Sequence, residues 1–187
     1  MKCIIVEGPQ GCGKTNLTNY LRDNIAASNL YRLTGQKDKT TTGKEKSAKM
    51  YHALLKYIKE LEDTDVNLIF DRTFFTEQVY SLLGYKEYDF TDVYEELLNI
   101  FGELNFEVYY ISLYLKDTSI FEIRLKREHH QYQAFSLENS INQQNVYKSL
   151  LPDIKALKNT KVFEVAMDDF DVAYKEINKI LGIDNNG

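Results

Sequence analysis

Apolar positions along the chain follow two alternating rhythms. Short runs rich in β-branched and aromatic residues, KCIIV at 2–6, NLYRL at 29–33, VNLIF at 66–70, FEVYYISL at 106–113 and KVFEV at 161–165, read as strands. Longer stretches with helical spacing separate them. They predict a helix opening at Gly13 or Lys14 and others over about 45–62, 73–83, 91–102, 117–128, 137–157 and 170–181. In the second of these, Met50, Leu54, Ile58 and Leu61 recur at helical spacing as one apolar stripe. The alternation predicts an α/β fold in which a five-stranded parallel sheet is covered by helices on both faces, a three-layer sandwich. There is no internal repeat, and 187 residues are expected to form one domain over 1–187.

Two polar stretches stand apart from this rhythm. TGQKDKTTTGKEKS at 34–47 has no apolar residue, and REHHQYQAFS at 127–136 has few. Both are expected as surface loops, and their places after strands make them candidate lids. The final DNNG reads as a frayed end. With 43% hydrophobic and 27% charged residues the composition is that of an ordinary globular protein.

The formal net charge of −5 and pI near 5.3 argue against nucleic acid as a partner, since a broad basic footprint is missing. A small anion can still bind in a focused basic cleft. No signal pattern and no run of about 20 apolar residues occurs, so a cytoplasmic protein without a membrane segment is expected. Cys3 and Cys12 fall on the first strand and the loop after it, which favours buried thiols over a disulfide. His129 and His130 are adjacent and would point apart on a helix, a poor arrangement for a metal.

The most specific signal is VEGPQGCGKT at 6–15, which satisfies GxxxxGK[ST] between a strand and a helix. Glycines at 8, 11 and 13 let backbone amides turn toward phosphate oxygens, and the helix start adds its positive end. Gly8, Gly11, Cys12, Gly13, Lys14, Thr15 and Asn16 therefore form the expected nucleotide-binding segment. Lys14 can reach the β and γ phosphates, and the Thr15 hydroxyl can ligate Mg²⁺. ATP or GTP is implied. No NKxD motif follows, which favours a phosphotransferase over a GTPase.

A second signal lies where VNLIF runs into DRTFFTEQVYS, setting Asp71 and Arg72 at the C-terminal end of a strand. In an open α/β sheet that edge binds ligands.

At these residues the chain resembles the thymidylate kinase and deoxynucleoside kinase group of P-loop kinases. EGPQGCGKT is similar to the group's EGxxGxGK[ST], and DRTFFTEQVY to DRxxxSxxAY, with Thr76 and Tyr80 in the serine and tyrosine positions. YLKDTSIFEIRLKRE resembles the strand, helix and arginine-rich lid of the same group. The resemblance implies a P-loop kinase fold with a small lid at about 124–136, and it spans most of the chain. It implies that Arg72 grips the acceptor's phosphate. Asp71 would organise Mg²⁺ and the acceptor, or take a proton from a 5′-hydroxyl acceptor.

Phe74, Phe75, Gln78 and Tyr80 are the candidates for the base pocket. Gln10 stands where thymidylate kinases commonly carry an acid that helps hold the acceptor's sugar. Asp71 stands where deoxynucleoside kinases usually have glutamate. The loop at Ala166 to Asp168 would lie beside the adenine.

On the expected lid helix, Ile120, Ile123, Arg124 and Arg127 share one side, with Glu122 and Lys126 opposite. Arginines among apolar residues need anionic partners, and Arg124 and Arg127 are expected to close on the donor's phosphates.

The sequence thus points to ATP- and Mg²⁺-dependent transfer of a γ-phosphoryl group to a small-molecule deoxynucleoside monophosphate, thymidylate-like, with Lys14, Asp71, Arg72, Arg124 and Arg127 as catalytic candidates. A deoxynucleoside kinase, a kinase acting on DNA or a modified base, and a non-catalytic ATP-binding module are the alternatives. The helices at 45–62 and 91–102 are candidates for a homodimer contact.

Overall fold

The computed structural model describes residues 1–35, 37–127 and 136–183. Among these the chain runs β1 (Lys2–Glu7), α1 (Lys14–Asn24), β2 (Ser28–Arg32), α2 (Thr41–Glu60), β3 (Asn67–Asp71), α3 (Phe74–Leu82), α4 (Thr91–Gly102), β4 (Glu107–Tyr114), α5 (Ile120–Arg127), α6 (Leu137–Lys155), β5 (Thr160–Ala166) and α7 (Phe170–Leu181). Each strand expected from the sequence is present within two residues.

The five strands are all parallel, in the order β2-β3-β1-β4-β5. β1 is central, which explains why CIIV is apolar without interruption: both faces of an interior parallel strand are covered. Alternate residues feed opposite layers. Cys3 and Ile5 join the core beneath α2, α3, α4 and α6, while Ile4 and Val6 join the one beneath α1, α5 and α7. The α/β sandwich follows from this two-sided burial.

Three expectations are corrected in detail. α2 begins at Thr41, so the second half of the polar stretch at 34–47 is helix. Asp38 accepts hydrogen bonds from Thr40 and Thr42 and pairs with Lys46, which anchors that start. The buried stripe of α2 is Ser47, Tyr51, Leu55 and Ile58, with Met50 exposed, because Tyr51 packs edge-on against Phe74 and Phe90 and rotates the inward face. In α5 it is Phe121 that is buried and Ile123 that faces solvent. Leu125 lies against Gly11, so the apolar side of α5 packs onto the phosphate loop.

Both cysteines are buried free thiols. The two helices named for a dimer contact pack on one another, with an ion pair Lys44–Asp92 at 2.8 Å and His52 Nε2 3.6 Å from a Glu96 carboxylate oxygen. Among the described residues no helix is long and apolar enough to cross a membrane.

Candidate active site

The loop between β1 and α1 crosses the C-terminal edge of the sheet. Gly13 caps α1 at φ 100°, and a Cβ there would stand 2.8 Å from the Phe170 ring. At Gly8 a Cβ would meet the Leu113 carbonyl oxygen of β4 at 2.9 Å, so this glycine is what lets the loop lie down on the sheet. The side chain of Lys14 folds back under the loop, its Nζ donating to the carbonyls of Gly8 at 2.6 Å and Pro9 at 2.9 Å. Burial lowers its pKa below the usual lysine value. Thr15 and Asn16 are exposed at the mouth, whereas Cys12 is wholly buried and burial pushes its thiol pKa up.

Beside this loop, β3 pairs with β1 so that Asp71 stands opposite Val6. Arg72 leaves the strand in the left-handed region at φ 71°. Its Nη2 donates to Oε1 of Gln10 at 3.3 Å, and Gln10 Nε2 donates to Tyr80 Oη at 2.8 Å. Gln10 is held on its backbone as well. Its N–H donates to Gln143 Oε1 at 2.9 Å, and its carbonyl accepts from Ser140 Oγ at 2.9 Å, both residues on α6.

Asp71 is 5% exposed and engaged differently. Its Oδ2 lies 3.4 Å from Arg32 Nε and accepts from Thr18 Oγ1 at 3.4 Å. Thr18 Oγ1 also lies 3.2 Å from the Thr15 carbonyl, so Thr15 and Asp71 share a neighbour. A hydroxyl at an open mouth and a carboxylate close by suit Mg²⁺ held mainly through phosphates. Among the described residues no cluster of His, Cys, Asp and Glu offers a metal cage of its own.

The structure brings Gln10, Lys14, Asp71, Arg72 and Tyr80 together. Phe74 and Phe75 are placed elsewhere: both are buried in an aromatic cluster with Tyr94 and Phe101, and Phe75 also meets Tyr110. Gln78 turns to α4, where its Nε2 donates to Thr91 Oγ1 at 3.1 Å. Helix geometry accounts for this. Thr76 and Tyr80 are one turn apart and share the face toward the phosphate loop, and Gln78 lies about 200° around from Thr76.

Arg124 is also placed differently from a phosphate lid. Its guanidinium lies over the Phe170 ring, 4.5 Å from the centroid, and donates to the Met167 carbonyl at 2.6 Å and the Cys12 carbonyl at 3.3 Å. It therefore bridges the phosphate loop and the 166–168 loop. That second loop is fixed by Asp168, whose carboxylate accepts from the backbone N–H groups of Lys116 and Asp117. Of Arg127 the backbone alone is described, and 128–135, with His129, His130 and most of the expected lid, lie outside the described residues.

Several residues of the site carry no signal in the sequence. Arg32, Thr18, Ser140 and Gln143 come from three other elements and meet only on folding. Glu7 is legible only as the first letter of the EG pattern.

No family model matches the chain, and no curated protein matches it. Solved structures do. Thymidylate kinase from Candida albicans superimposes with a TM-score of 0.68 at 13% identity, covering 96% of this chain and 90% of that one. The fold is that of the P-loop nucleotide kinases. Deoxyadenosine kinase from M. mycoides, with dCMP and dCDP bound, gives a TM-score of 0.65 at 18% identity over 97% of this chain and 99% of that one. The Bacillus subtilis protein YorR, in complex with phosphorylated GDP, gives 0.63 at 17% identity over 96% and 95%.

Proposed function

We propose that the protein transfers the γ-phosphoryl group of ATP, with Mg²⁺, to a deoxynucleoside monophosphate, with a thymidylate-like acceptor favoured. The observation that carries this reading is Arg72. It stands at the ligand-binding edge of the sheet, its guanidinium tied to Gln10 of the phosphate loop at 3.3 Å. An arginine there offers a planar, charge-assisted fork to an acceptor phosphate, adjacent to the loop that cradles the donor. Lys14 would neutralise charge on the donor, and Thr15 and Asp71 would hold the metal, which would supply further neutralisation of phosphate charge. Catalysis on this reading is alignment and charge neutralisation, since an acceptor phosphate already carries a nucleophilic oxygen.

Asp71 supports the same choice. Its Oδ2 lies 3.4 Å from Arg32 Nε and accepts from Thr18 Oγ1 at 3.4 Å, and Thr18 also bonds the Thr15 carbonyl, which sets the carboxylate on the side of the metal-holding hydroxyl. The second reading, a deoxynucleoside kinase with Asp71 as base, is favoured by the likeness to deoxyadenosine kinase. Two variants separate them. For a monophosphate acceptor, Arg72→Ala should lower acceptor kcat/KM by about a hundredfold or more while ATP KM stays within about threefold. Unchanged monophosphate turnover in Arg72→Ala refutes the assignment. Under the second reading Asp71→Asn abolishes transfer to a nucleoside.

A further inference from the structure

Arg72 is a residue with a full side chain held at φ 71°, where such residues are uncommon and the surroundings must hold the backbone. Two hydrogen bonds bracket it. Arg72 N donates to the Val6 carbonyl at 3.2 Å, continuing the register of β1 with β3. On the other side Thr73 N donates to Oε1 of Glu7 at 2.7 Å. Glu7 is the last residue of β1 and is fully buried. The same Oε1 accepts from Thr73 Oγ1 at 3.1 Å, and Oε2 accepts from Thr76 Oγ1 at 2.6 Å. The Thr76 hydroxyl in turn lies 2.8 Å from Tyr147 Oη on α6. One carboxylate thus ties the strand that enters the phosphate loop to the turn bearing Arg72, to α3 and, through Thr76, to α6.

Burying an acid costs more than burying an apolar side chain of similar size, and here three hydrogen bonds offset part of that cost. Here they define the peptide that follows Arg72, and Val6 defines the peptide before it. Rotation of either peptide would swing the guanidinium away from Gln10.

We propose that Glu7 is a positioning residue for the acceptor side: its oxygen fixes the backbone on which Arg72 presents its guanidinium to the acceptor's phosphate. The inference rests on the role of Arg72 proposed above. What Glu7 supplies is reach and hydrogen-bond geometry, not charge. A glutamine has an oxygen to accept from Thr73 N and an amide to donate to Thr76 Oγ1, whose hydroxyl can rotate. An aspartate keeps the charge but ends one methylene short.

The test compares wild type, Glu7→Gln and Glu7→Asp by thermal melting, ATP KM, and acceptor KM and kcat with a deoxynucleoside monophosphate. Glu7→Gln should stay within about threefold of wild type in acceptor kcat/KM. Glu7→Asp should lose about tenfold or more in acceptor kcat/KM, with ATP KM within about threefold, because a hydrogen bond that aims a charged group is lost. A purely structural role would lower the melting temperature without this split. Glu7→Asp with wild-type acceptor kinetics overturns the proposal, and so does an equal loss toward ATP and acceptor. If Glu7→Asp does not fold, Glu7→Gln decides alone: retained acceptor kcat/KM supports the proposal, and a tenfold loss with ATP binding intact overturns it. A wild type that transfers to no monophosphate overturns the role of Arg72 itself and the inference with it. That outcome is visible before any variant is compared.

Discussion

The Arg72 guanidinium and the Gln10 side-chain oxygen lie 3.3 Å apart, which joins the C-terminal end of β3 directly to the phosphate loop. Gln10 is the hinge of that contact because its other end is fixed by Tyr80 and its backbone by α6. Where an acid would hold Arg72 as an ion pair, the amide orients it without neutralising it, which on the proposed function leaves its charge for the acceptor.

This arrangement makes Gln10 and Tyr80 act as a unit. Gln10→Ala should raise acceptor KM by about tenfold, the loss of a hydrogen bond to a charged group. Tyr80→Phe should cost less, and the double variant should fall short of the sum by about 1 kcal/mol. Steady-state kinetics on the four proteins checks this; strict additivity would mean that the Tyr80–Gln10 bond does not orient Arg72.

Arg124 should serve the donor and not the acceptor. Its guanidinium lies over the Phe170 ring and bridges the Cys12 and Met167 carbonyls, so it organises the phosphate loop at Cys12, whereas Arg72 contacts it at Gln10. Arg124→Ala is expected to raise ATP KM about tenfold with acceptor KM nearly unchanged, and Arg124→Lys should not restore it, because an ammonium lacks the planar stacking face. Parallel titrations of ATP and acceptor read the difference. A fall in kcat alone would instead return Arg124 to the phosphate-closing role its lid position first implied.

Stability should carry the mark of Glu7. Burial pushes its carboxyl up to about 7, outweighing the hydrogen bonds from Thr76 and Thr73 and the nearby Lys14. The unfolded value is about 4.3. A carboxyl whose folded value is the higher one keeps its proton longer in the native chain. Its contribution is therefore most favourable at low pH and is lost as pH rises from about 4.3 to about 7, on the order of 4 kcal/mol in all. Glu7→Gln lacks that titration, so its melting temperature relative to wild type should rise between about pH 5 and pH 7 and level off above about pH 8. Melts across this range check it, and a constant difference would show that Glu7 stays ionised throughout.

What the sequence made legible is what lies close together along it. β1 and β3 announce themselves as continuous apolar runs because interior parallel strands are covered on both faces, and the glycines of the phosphate loop and the Asp71–Arg72 pair follow directly from those strands. Of the expected α2 stripe, Ile58 is buried and Leu54 and Leu61 pack against the core, but Met50 is exposed because Gly43 and Ser47 take buried places and Tyr51 does the packing in the first half of the helix. Phe74, Phe75 and Gln78 looked like pocket residues because stacking rings and an amide suit a base, yet the turn of α3 sends the rings into the core and the amide toward α4. Arg32, Thr18, Ser140 and Gln143 reach the site from β2, α1 and α6, and no local pattern marks a contact made only by folding.

The most direct test is transfer of label from γ-labelled ATP, with Mg²⁺, to parallel panels of deoxynucleoside monophosphates, deoxynucleosides and a short single-stranded DNA. Label in a deoxynucleoside diphosphate, lost in Arg72→Ala, is the expected result and also names the base. Label confined to a nucleoside or DNA product, with Arg72→Ala still active, would contradict the acceptor role given to Arg72 and turn attention to Asp71.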